Sequence, residues 1–243
     1  MQQESITLQQ RVYGWSVHIF TASGAFVGVL ALNAIYHQNY LQALWLMCLS
    51  TTIDAVDGML ARRINIKEAV PEIDGAMLDN IVDFFNYMLV PAFFLMVSNL
   101  LPENWKLICV LAIVLSSSFQ FAQVDAKTKD HFFKGFPSYW NIAVFYLFFW
   151  GLSPTINIWI LLLLAFLSFV PIKYVYPSRL DYLSDSMIVR KAMLLFTILW
   201  GCTVVALLAM YPESNKILVA ISMSYIVCYL LASIYRTWYP LSK

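Results

Sequence analysis

Apolar residues run in long stretches along almost the whole chain, and the polar positions gather between them. Such stretches occupy positions near 13–36, 40–61, 76–99, 105–124, 139–152, 155–175, 189–211 and 216–236. About 20 apolar residues in a helix cross the hydrocarbon core of a bilayer, where a helix satisfies its own backbone polar groups. The pattern predicts an all-α integral membrane protein of eight transmembrane helices. The stretch at 139–152 is short and aromatic, and the least marked of the eight. The connections are too short to hold a soluble domain, so residues 1–243 read as one polytopic domain.

Composition sharpens this picture. Hydrophobic residues make up 61% of the 243 and charged residues 12%, against about a half and a quarter in soluble domains. The polar start, Met1 to Gln10, leads into an apolar run far longer than a signal-peptide core, so no cleavable signal is expected. A net charge of +1 without a basic stripe excludes a nucleic-acid partner. With a cytoplasmic N-terminus and eight spans, thirteen of the 15 lysines and arginines fall on the cytoplasmic side. Only Lys106 and Lys216 fall outside, which predicts that both termini are cytoplasmic. Cys48, Cys109, Cys202 and Cys228 lie in apolar runs without metal-ligand spacing and read as small buried side chains.

One acidic string breaks the apolar pattern. It reads Asp54-Ala-Val-Asp57-Gly58-Met-Leu-Ala61-Arg62 and then Gly75-Ala-Met-Leu-Asp79-Asn-Ile-Val-Asp83. A carboxylate at the centre of a membrane helix costs roughly 2.5–3.5 kcal/mol on insertion scales, so four together need a strong partner. Asp54, Asp57 and Ala61 step by three and four along one helix face, and Gly75, Asp79 and Asp83 step by four along another. Arg62 and Gly75 bracket a short cytoplasmic loop, so the two helices are antiparallel neighbours. Asp54 then lies about 12 Å below Arg62 at 1.5 Å per residue, and the four acids converge just beneath the cytoplasmic surface.

Oxygen donors with no His or Cys nearby suit Mg²⁺ or Mn²⁺ rather than zinc or copper. Two such ions clamp a phosphoryl group during displacement. Gly58 and Ala61 keep the helix slim where a bulky group approaches, and Arg62 offers a planar fork for phosphate. These parts describe phosphoryl transfer at a membrane surface. Structural acids paired with Arg62, Arg63 and Lys67 would explain one or two of the four. A cation-coupled membrane transporter would carry broken helices and repeated halves, and the sequence displays neither.

The string resembles the signature of the CDP-alcohol phosphatidyltransferases, DxxDGxxAR followed by GxxxDxxxD, with every fixed position present. The spacer, Arg63 to Asp74, is longer than in most of the family and is similar to that of the bacterial phosphatidylcholine synthase branch. A second block, Phe133-Lys134-Gly135-Phe136-Pro137-Ser138-Tyr139-Trp140-Asn141, resembles the same branch. It also echoes a glycine-proline block of phosphatidylserine synthases, which makes a serine acceptor the alternative within the family. The resemblance implies transfer of a phosphatidyl group from CDP-diacylglycerol to free choline, with Mn²⁺ as the usual metal and Mg²⁺ as the alternative. It also implies a multi-pass protein of a bacterial inner membrane, surrounded by membrane lipids and often a homodimer. Carried over by position, Asp54, Asp57, Asp79 and Asp83 would hold two metals, and Asp83 would also act as base. Asp57, Gly58, Ala61, Arg62 and Gly75 would cradle the cytidine diphosphate.

Outside the string, Lys134 and Arg179 are candidate contacts to a lipid phosphate. Lys127 and Lys129 read as topological charges, His18 as a satisfied buried histidine, and Asp125 and Asp130 as solvated acids. Choline carries a permanent charge and no ammonium proton, so aromatic faces are its natural hold. Tyr139, Trp140, Tyr174 and Tyr176 are the candidates for that cage.

Overall fold

A computed structural model describes residues 7–63, 66–213 and 215–239. Residues 1–6 and Lys243 lie outside the described residues, as do the side chains of Arg63 and Lys67, so three of the thirteen charges on which the sidedness was read are not described. The described chain is all-helical apart from one short ribbon. Six helices are long and apolar enough to cross a membrane: Leu8–Tyr36, Tyr40–Arg62, Gly75–Val97, Glu103–Ala122, Met187–Ala209 and Lys216–Trp238. Two shorter apolar helices, Trp140–Trp150 and Pro154–Leu167, make up the rest of the pattern. This is an integral membrane protein.

The chain divides into two compact units, Met1–Val90 and Pro91–Lys243. In the first, α1 (Leu8–Tyr36) packs along α2 (Tyr40–Arg63) and against α4 (Gly75–Asp83). The first helix begins five residues before the expected position because Thr7 and Gln10 form a capping box, which satisfies two otherwise orphaned backbone donors. The spacer after α2 folds into a single turn, α3 (Ile66–Ala69). Val70, fully buried, closes on α1 where a Cβ on Gly14 would come within 2.7 Å of its methyl group. Arg11 pairs with Glu72 across the same junction. Ala69 and Val70 of the spacer therefore line α1 with apolar contacts. Asp74 caps α4 by accepting from the backbone N–H groups of Ala76 and Met77.

The third membrane helix is not uniform. After α4 it widens into a π turn, Phe84–Leu89, and resumes as α5 (Val90–Val97). Pro91 has no N–H for the carbonyl four residues back, and its ring crowds that carbonyl. Wider turns are one of the few ways a helix absorbs this. The Val90 N–H accordingly reaches five residues back, to Phe85.

In the second unit, α6 (Glu103–Ala122) packs on α8 (Pro154–Leu167), and α9 (Met187–Ala209) on α10 (Lys216–Trp238). Between α6 and α7 (Trp140–Trp150), strand β1 (Phe133–Lys134) pairs antiparallel with β2 (Lys173–Tyr174). The stretch expected to stay helical to 175 ends as helix at Leu167, because Pro171 biases the residues before it out of the helical region. The extended chain that follows, with Tyr174 and Val175 buried, needs partners for its backbone groups. Hydroxyls of α10 satisfy them. Lys173 N–H donates to Thr237, Val175 N–H to Ser233, and the Tyr229 hydroxyl to the Val175 carbonyl. Gly135, at φ +80°, lies so close to the chain that a Cβ would come within 2.2 Å of the Ser168 carbonyl oxygen. Only glycine fits that turn.

All four cysteines are free, but only Cys109 is buried; Cys48 is partly so, while Cys202 and Cys228 are exposed. Their small apolar thiols are compatible with a lipid-facing surface as well as with a core.

Candidate metal centre

Thr21 and Gly24 of α1, Ser50, Ile53, Asp54 and Asp57 of α2, and Asp79, Val82, Asp83, Asn86 and Tyr87 of the third membrane helix line one small cavity. Asp57 is buried at 4% exposure, and Asp54, Asp79 and Asp83 are half-buried. Carboxylate oxygens of Asp54, Asp57 and Asp79 all lie within 4.8 Å of one another. Asp83 faces the same cavity but stands outside that trio. The convergence read from helix spacing is present, with three acids gathered and the fourth beside them.

The remaining residues of the motif, Gly58, Ala61, Arg62 and Gly75, are not among those that line this cavity. A Cβ on Gly58 would lie 3.1 Å from Nη1 of Arg62, so the guanidinium folds back over the glycine. Arg62 is exposed and Ala61 half-buried. A Cβ on Gly75 would meet Cε1 of His18 at 2.8 Å. His18 is buried as expected, yet its Nε2 has no hydrogen-bond partner, so it is not the satisfied histidine the sequence suggested.

Sequence reasoning missed Thr21, Ser50, Asn86 and Tyr87. The Tyr87 hydroxyl donates to Oδ2 of Asp54 at 2.6 Å, and Asn86 donates to the Gly24 carbonyl at 3.0 Å. Their signal was present as two polar groups, three and four residues past Asp83, in an otherwise apolar run.

In the second unit the candidate cage residues separate into two groups. Trp140 is fully buried and its Nε1–H donates to Ser117 at 2.7 Å. Tyr174 is also buried, with its ring against Phe136 and Tyr229. Tyr139 and Tyr176 are half-buried and gather instead on Phe133, at 6.2 and 4.4 Å between ring centroids. Lys134 pairs with Asp125 at 2.6 Å and Lys173 with Asp130 at 2.6 Å, so neither acid is merely solvated. The Lys134 ammonium holds the Asp125 carboxyl below the usual carboxylate range. Burial pushes the Asp130 carboxyl up, but the Lys173 hydrogen bond and charge prevail and lower it. Arg179 lies half-buried in the 3₁₀ turn Pro177–Tyr182.

Three oxygen donors converging without nitrogen or sulfur make a hard site suited to Mg²⁺ or Mn²⁺. Comparison with known proteins agrees with that chemistry. A protein from Legionella pneumophila called phosphatidylcholine synthase is 50% identical over 238 residues, 98% of this chain and 93% of its own. One of the same name from Borreliella burgdorferi is 36% identical, over 93% of this chain and 95% of its own. One from Rhizobium meliloti is 37% identical over 71% of each chain. The profile of the CDP-alcohol phosphatidyltransferases matches residues 17–170, which takes in the whole acidic string, and this chain belongs to that family.

Proposed function

We propose that this protein transfers the phosphatidyl group of CDP-diacylglycerol to free choline, giving phosphatidylcholine and CMP. The observation that carries the reading is the meeting of Asp54, Asp57 and Asp79 within 4.8 Å on two neighbouring helices. The acceptor is taken from the extensive relatives named for phosphatidylcholine synthesis. The family profile runs through the boundary at Val90, which supports one polytopic domain.

Asp54, Asp57 and Asp79, joined by Asp83, would hold two divalent ions, Mn²⁺ or Mg²⁺, which supply charge neutralisation at the transferred phosphate and the departing CMP. Asp83, beside the trio rather than in it, takes the proton of the choline hydroxyl as its oxygen attacks the lipid-side phosphorus. The bond from that phosphorus to the CMP oxygen breaks, and CMP leaves with the electron pair. Asp57, Gly58, Ala61, Arg62 and Gly75 cradle the cytidine diphosphate, with Arg62 swinging from its place over Gly58 onto phosphate. The Phe133, Tyr139 and Tyr176 rings offer faces to the trimethylammonium group. Trp140 and Tyr174 support that wall from the core. Lys134 and Arg179 remain the lysine and arginine assigned to lipid phosphate, with Lys134 exchanging Asp125 for it.

Eight crossings, with termini and site cytoplasmic in a bacterial inner membrane, complete the reading. The 11 residues of α7 and 14 of α8 extend about 16 and 21 Å at 1.5 Å per residue, short of a core of about 30 Å. The flanking extended chain makes up the difference. At one end, Asn157 of α8 donates to the Leu100 carbonyl in the α5–α6 loop, and Phe148 and Phe149 of α7 pack on Tyr211 in the α9–α10 loop. At the other, β2 is bonded to the end of α10, and Gln120 near the end of α6 donates to the Lys134 carbonyl. These contacts support α7 and α8 joining the same two levels as the long helices.

The test is an acceptor panel. Membranes carrying the protein are given CDP-diacylglycerol and labelled choline, serine or ethanolamine. Choline should be converted far better than the other two. Phosphatidylserine formed without phosphatidylcholine would transfer the reading to a serine acceptor.

A further inference from the structure

Asp79, Asp83 and Tyr87 succeed one another at intervals of four. In an α-helix of 3.6 residues per turn, each such step overshoots a full circle by about 40°, so Tyr87 would drift from the face that carries the acids. The π turn over Phe84–Leu89 removes that drift. Its bonds close over five residues, so a step of four falls short of a circle instead of passing it. Tyr87 is thereby returned to the cavity, 7% exposed, with its hydroxyl 2.6 Å from Oδ2 of Asp54. The turn is anchored on the other side by Asn86, which donates to the Gly24 carbonyl. A Cβ on Gly28 would come within 2.4 Å of both Asn86 and Phe85, so α1 approaches the turn directly.

We infer that Tyr87 is a positioning residue of the metal centre: its hydroxyl fixes one oxygen of Asp54 and leaves the other turned to the ion. This rests on the metal-assisted reading above. A carboxylate on a free side chain rotates about its terminal bonds, and a donor to one oxygen selects a single orientation. Partners that orient ligands in this way typically change metal affinity 10- to 100-fold when removed. The π turn is the device that brings this donor from the far side of Asp83, and Pro91 is what enforces the turn.

The experiment compares wild-type protein with Tyr87→Phe and Tyr87→Leu, each purified in lipid nanodiscs and stripped with EDTA. Thermal unfolding is followed while Mn²⁺ is added. Wild-type protein should gain stability with Mn²⁺, and the variants should need about 10 to 100 times more Mn²⁺ for the same gain. Metal-free unfolding temperatures should stay close to wild type. The Mn²⁺ concentration for half-maximal turnover should rise in parallel, while the choline KM at saturating Mn²⁺ holds. In an Asp54→Asn background, Tyr87→Phe should have no further effect on the titration. Identical Mn²⁺ titrations for wild type and variants would overturn the inference alone. Variants that lose metal-free stability or fail to fold would also overturn it, because the hydroxyl would then serve the fold. A wild-type protein indifferent to Mn²⁺ would overturn the metal-assisted reading itself.

Discussion

Asp57 is the most enclosed of the four acids, and carboxylate oxygens of Asp54 and Asp79 lie within 4.8 Å of it. Like charges at such separations repel in a partly dehydrated site. A divalent ion relieves all three together, which is why the same residues that destabilise an empty helix pair suit a metal centre. Asp83 lines the cavity outside that trio, and in the proposed reaction it takes the proton. Asp83→Asn keeps the shape and removes the base. Turnover should fall by at least the 10²–10⁴-fold typical of general-base steps, while CDP-diacylglycerol binding by the purified protein persists. A variant that keeps more than about a tenth of the wild-type rate would place the base elsewhere.

At the scale of elements, the aromatic block shows how position in the fold divides similar side chains. Trp140 and Tyr174 are held in the core, whereas Tyr139 and Tyr176 meet on Phe133. Tyr139→Ala and Tyr176→Ala should therefore raise the choline KM with little change in unfolding temperature. Trp140→Phe, which orphans the Ser117 hydroxyl, should lower stability and leave that KM unchanged. The sequence assigned all four to one cage, because aromatic residues at the membrane interface look alike until their neighbours are known. What it made legible was the acidic string, whose spacing at three and four residues fixes a helix face without tertiary information. The starts after Thr7 and Asp74 rest on capping residues that the apolar pattern alone did not bring out, which is why the first helix begins ahead of the run read from 13. The π turn was not legible either, since Pro91 announces a disturbance but not its form. Nor did the apolar run to 175 reveal that its last third leaves the helix for a turn and the strand Lys173–Tyr174, because hydroxyls from α10, distant in sequence, satisfy the backbone there.

At the scale of the whole molecule, the charge bias and the two short helices make one topological claim. Single cysteines placed in an otherwise cysteine-free protein should be labelled from the cytoplasm at 125–131 and from outside at 98–101 and 151–153. External labelling at 125–131 would reverse the orientation and remove the site from its nucleotide. The account as a whole rests on metal-assisted transfer to choline, and one measurement addresses donor, acceptor and metal together. Purified protein in vesicles is given CDP-diacylglycerol and labelled choline, and CMP and phosphatidylcholine are quantified before EDTA, after EDTA, and after Mn²⁺ is restored. The account predicts equal amounts of the two products, none after chelation, and recovery with Mn²⁺. Full turnover after exhaustive chelation, or CMP release without phosphatidylcholine, would contradict it.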